Sequence, residues 1–113
     1  MKAVKTSNIN ARRFVQDRQP FTGNNLFALS LPARPEINLP ERYVVYSYGA
    51  HWPLFICESG VWYENNDRYS PTTSKHRTQS HPHQPTVPMT SSAMCRIAED
   101  GIAGLAVLGE AKY

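Results

Sequence analysis

The sequence predicts an α+β domain: a small antiparallel β-meander of three to five strands, a C-terminal helix packed on one face, and a long polar loop. Three observations predict it. Residues 42–48 (RYVVYSY) and 52–58 (WPLFICE) are dense in β-branched and aromatic side chains, with a tight turn at Gly49-Ala50-His51 between them. Met94, Ile97 and Ala98 recur at i, i+3 and i+4 within SSAMCRIAED, the spacing of one helix face. Residues 65–90 have no apolar periodicity, and Pro71, Pro82, Pro85 and Pro88 argue against a long helix there.

Taken in order, residues 1–20 are polar and basic, with Lys2, Lys5, Arg12, Arg13 and Arg18 against a single Asp17. They read as a basic N-terminal arm ahead of one domain spanning 21–113. The arm is either solvated, as most termini are, or anion-binding. Asn8 or Asn10 can cap a turn of helix through ARRFVQ, a segment too short to be stable alone. A turn at residues 21–25 leads into Leu26–Leu31 (LFALSL), a first strand. The next ten residues, PARPEINLPE, are a connecting loop because proline removes ladder donors. The strands at 42–48 and 52–58 follow, and Pro53 places the start of the second at an edge or leaves its first residue unpaired. Glu58-Ser59-Gly60 turns the chain into a short strand at 61–64, VWYE. Within 65–90 a helical turn over 73–79 can be capped by Thr72 or Thr73, and Pro85 and Pro88 then favour an extended path. Ser91–Asp100 is the helix, capped by Thr90 or Ser91 and stopped by Gly101. Residues 102–108 (IAGLAVL) fit either a continued helix or a last strand, and the tail GEAKY is expected to fray.

A chain of 113 residues is enough for one modest domain. With 41% hydrophobic residues, 19% charged and a net charge of +3, it lacks the signature of wholesale disorder. Cys57 and Cys95 lack C-x-x-C spacing, which argues against a zinc knuckle or a redox dithiol. Polar residues follow Lys2 and Lys5 where a leader would be apolar, and no stretch approaches the ~20 apolar residues of a membrane span. The expected setting is a reducing cytoplasm with two thiols, no membrane and no cofactor.

The segment RYSPTTSKHRTQSHPH, residues 68–83, is the functional candidate, because a packed core does not need that composition. Arg and Lys neutralise phosphates, and hydroxyl and amide side chains bond phosphate oxygens or base edges. Trp52, Trp62 and Tyr69 are candidates to stack on unpaired bases. The same arginine- and aromatic-rich surface also suits protein recognition. A third reading is chemical: His76, His81 and His83, with His51 or Cys57, as zinc ligands, or His76 with Asp67 or Glu64 as an acid–base pair. The spacing matches no specific zinc motif, and Cys57 sits in an apolar strand where a buried, inert thiol is usual. In a fourth reading Ser70, Thr72, Thr73 and Ser74 bond their own backbone and only order the loop.

Three stretches also resemble a family of small uncharacterised phage and plasmid proteins. They are residues 10–27 (NARRFVQDRQPFTGNNLF), 43–49 (YVVYSYG) and 69–79 (YSPTTSKHRTQ), the last being the most specific. The resemblance implies a mobile-element origin, a place in the host cytoplasm and no catalytic residue to carry over. The expectation is therefore a non-enzymatic accessory that binds DNA or RNA, with a host protein, such as a bacterial enzyme or defence system, as the alternative partner. Arg12, Arg13, Arg68, Lys75 and Arg77 would make the anion contacts. Thr72, Thr73, Ser74 and Gln79 would be neutral donors, with His76 between the two cations of TTSKHR. An exposed sheet edge would allow a homodimer.

Overall fold

The computed structural model describes residues 4–49, 52–67 and 71–102, and side chains within the last stretch from Lys75 onward. Seven strands form one sheet in chain order: β1 (Val4–Lys5), β2 (Phe21–Thr22), β3 (Leu26–Leu31), β4 (Arg42–Ser47), β5 (Pro53–Glu58), β6 (Val61–Asn65) and β7 (Thr86–Met89). Among the described residues three α-helices accompany them: α1 (Ala11–Gln16), α2 (Pro71–Ser80) and α3 (Ser91–Asp100).

The centre of the sheet is the expected meander, with β2 through β6 antiparallel at every step. The two edges correct the expectation of an all-antiparallel sheet of three to five strands with one helix. β1 pairs parallel with β2, and β6 pairs parallel with β7. Parallel neighbours require a crossover, and α1 and α2 supply the two. Both crossovers run the same way across the sheet with their helices on the same face, so they share one hand, as the rule for such units requires. Residues 4–20 are therefore anchored to the domain through strand β1 and the inner face of α1, while much of their surface stays exposed: Ala11 and Val15 are buried, with Phe14 against the core. Pro53 opens β5 and Pro88 sits on edge strand β7, both places where a missing N–H is tolerated.

Alternation sorts the core onto two faces. Tyr43, Val45, Phe55, Cys57 and Trp62 point to the α1 side with Phe21, Leu26 and Ala28. Val44, Tyr46, Ile56 and Tyr63 point to α3, meeting Met94, Ile97 and Ala98. A register shift between Val45 and Tyr46 puts Leu54 in the first cluster beside Phe55. α3 has the predicted bounds. Thr90 accepts a hydrogen bond from Ala93 N–H, and Gly101 ends the helix at φ 75°. There a Cβ would lie 3.0 Å from Glu58 Oε1. Among the described residues no helix is long and apolar enough to cross a membrane. The undecided segment 102–108 lies outside the described residues from 103 onward.

Candidate functional site: a polar groove beside α2

The sequence contains α2 without advertising it. PTTSKHRTQS has no apolar face, and periodicity therefore reads it as loop. Pro71 stands at its first position, where proline is pre-set for a helix and forfeits no bonded N–H. What α2 buries is polar. His76 is 4% exposed and Ser80 is fully buried. Ser80 Oγ donates to the His76 carbonyl at 2.7 Å, and His76 Nδ1 lies 2.9 Å from Ser47 Oγ at the end of β4. Hydrogen bonds, not apolar contacts, satisfy this inward face.

The arginines of the predicted anion set divide accordingly. Arg12 reaches from α1 to the C-terminal end of α2, donating from Nε to His81 O at 3.0 Å and from Nη2 to Thr78 O at 2.6 Å. Gln16 adds a bond to Pro82 O. Arg77 pairs with Glu64 at 3.6 Å and donates to Asn65 O. Both arginines are engaged in joining α2 to its neighbours, while Arg13 lies exposed on α1. Arg68 lies outside the described residues, as do the side chains of Thr72, Thr73 and Ser74.

Lys75, His76 and Gln79 do come together. With Thr6, Ser7, Asn8, Ile9 and Asn24 they line a groove of about 390 Å³ between α2 and the turn of 3-10 helix at Asn8–Asn10. Its other wall is a clasp: Asn8 Nδ2 donates to Asn24 O at 3.0 Å, and Asn24 N–H returns to Asn8 Oδ1 at 2.8 Å. A Cβ at Gly23 would collide with Asn8 Oδ1, so the clasp needs glycine there. Lys75 is the cation of the groove, and its described lining contains no carboxylate. His76 is held below its ordinary value of 6.5, by burial first and by the Lys75 charge second. The imidazole is therefore neutral at pH 7. Its Nε2 has no hydrogen-bond partner among the described residues, and Gln79 Oε1 is buried without one.

The remaining chemical candidates stand elsewhere. His81 lies 3.5 Å from Glu64, which also accepts from Thr86, with its ring against Phe55. Among the described residues no three His, Cys, Asp or Glu side chains gather as a metal set; His51 lies outside them. Cys57 lines a separate cavity of about 210 Å³ with Arg18 and Tyr43, and burial raises its thiol despite the Arg18 charge. Of the stacking candidates, Trp62 is core, Trp52 packs against the core, and Tyr69 lies outside the described residues.

Sequence reasoning missed Ser47, Asn8, Asn24 and Tyr48. Tyr48 is 43% exposed, and its ring centroid is 5.5 Å from that of His76. The Gly23-Asn24-Asn25 turn was the one legible sign of the clasp; nothing local links it to residue 8. Comparisons with protein-family models, with curated proteins and with solved structures found no match.

Proposed function

We propose that the protein binds nucleic acid through the groove between α2 and the N-terminal turn. The observation that carries the reading is the make-up of that groove: a lysine, an imidazole nitrogen with no partner among the described residues, and amide side chains, with no carboxylate among its described lining. Lys75 would contact a phosphate, and the neutral polar groups would bond phosphate oxygens or base edges. Arg12 and Arg77, engaged with carbonyls and Glu64, drop out of the contact set; exposed Arg13 and Lys5 add to the surrounding field. A net charge of +3 favours a short footprint over an extended one. The resemblance to phage and plasmid proteins supports an accessory role in such a setting.

The test is a salt titration of binding to short labelled DNA and RNA, read by fluorescence anisotropy. Affinity should fall with rising salt, and K75A should weaken binding while lowering the salt slope by about one. R12A and R77A should bind as the parent does wherever they remain folded. No binding to DNA or RNA at about 50 mM salt, where phosphate contacts are strongest, would overturn the reading.

A further inference from the structure

We infer that the groove accepts one unpaired nucleobase beside its phosphate, so that the partner is a single strand rather than a duplex. The inference rests on the nucleic-acid reading and narrows it. Two apolar groups stand exposed around an otherwise polar site. Ile9 on the groove wall is 80% exposed, and Tyr48, against His76, keeps much of its ring in solvent. A phosphate has no use for either. A base has a flat apolar face for an aromatic ring and a polar edge for amide and imidazole partners.

The backbone holds Tyr48 in place. Its φ is 66°, a left-handed conformation that few bulky residues adopt, and its N–H donates to Asn25 O at 2.9 Å. Asn25 is itself left-handed at φ 57° and follows Asn24 of the clasp. The ring thus stands beside the groove, fixed through Asn25 on one side and packed against His76, itself a lining residue, on the other. Strain of this kind clusters where a side chain must be presented in one orientation. A volume near 390 Å³ is at the low end for a small-molecule site, enough for a nucleoside. A duplex keeps its base faces stacked inside and offers such a groove only phosphates, leaving Ile9 and Tyr48 unmet.

The experiment compares one labelled oligonucleotide as a single strand and annealed to its complement, at fixed salt. The single strand should bind at least tenfold tighter. Y48N removes the ring yet suits the left-handed backbone, since asparagine is enriched there, and should weaken single-strand binding about tenfold. Duplex binding should not change with Y48N, and Y48F should bind as the parent does. Equal affinity for the two forms, or a Y48N protein that binds the single strand unchanged, would overturn the inference while leaving Lys75-dependent binding in place. Binding to neither form would overturn both.

Discussion

His76 joins the fold to the groove at one ring. Its Nδ1 side is committed to Ser47, and its Nε2 side has no partner among the described residues. Burial and Lys75 keep it neutral, so its folded pKa lies below the unfolded value near 6.5. Between those two values the unfolded chain binds more protons than the folded one, and stability must fall as pH drops through that window. The melting temperature of the parent should decline between pH 7 and 5 by more than that of H76Q, whose amide cannot titrate. Equal declines would show that carboxylates carry the whole effect. Under the proposed nucleic-acid reading, binding has the opposite sign. A phosphate near Nε2 favours the imidazolium, so affinity should rise over the same interval for the parent and stay flat for H76Q. Among the described residues, the charged or titratable neighbours that bear on this are Lys75, which opposes protonation, and Tyr48, whose ring faces the imidazole. Asn65 makes a second residue-scale case. Fully buried, it donates to Pro53 O and Ser91 Oγ and accepts from Asp67 N–H, tying β5, β6 and the start of α3 together. Asn65→Leu strands those partners, and denaturant unfolding should show a loss of about 2 kcal/mol or more.

At the scale of elements, legibility followed the kind of contact each element makes. Leu26–Leu31 and Ser91–Asp100 have their predicted bounds because apolar residues at strand or helix spacing are what their packing uses. α2 buries a histidine and a serine through hydrogen bonds, and β1 and β7 are short edge segments whose partners are set by the crossovers. Neither leaves a periodic trace. The arginines misled for a related reason. Composition marks cations, and the distinction between a cation facing solvent and one capping a neighbouring helix is tertiary. Arg12 is the clear instance: its guanidinium satisfies Thr78 O and His81 O, carbonyls at the end of α2 that no further turn can serve. R12A should destabilise the protein by about 1.5–3 kcal/mol, the range for hydrogen bonds from a charged donor. The Thr90 cap is smaller. T90A removes the acceptor for Ala93 N–H and should cost about 1 kcal/mol without touching the groove.

For the whole molecule, the sheet is a partition. α1 and α2 share one face and α3 takes the other, and the two clusters of buried side chains lie on opposite sides of the strands. The cysteines fall on opposite sides too. Cys57 belongs to the cluster under α1, whereas Cys95 is on α3, near Tyr46 of the other face, whose phenol is raised by burial first and by Cys95 second. Two cysteines separated by an intact sheet cannot reach the geometry of a disulfide. Burial raises both thiols above their ordinary value, which slows reaction at each, and Cys57 is the more buried. Titration with a chromogenic disulfide reagent should therefore find two thiols in denaturant. In the native protein Cys95 should react first and Cys57 only at the rate of opening. Melting should be the same with and without reductant. A monomer that loses both thiols under mild oxidation while still folded would show that the two faces communicate, and would refute the layer arrangement on which the groove depends.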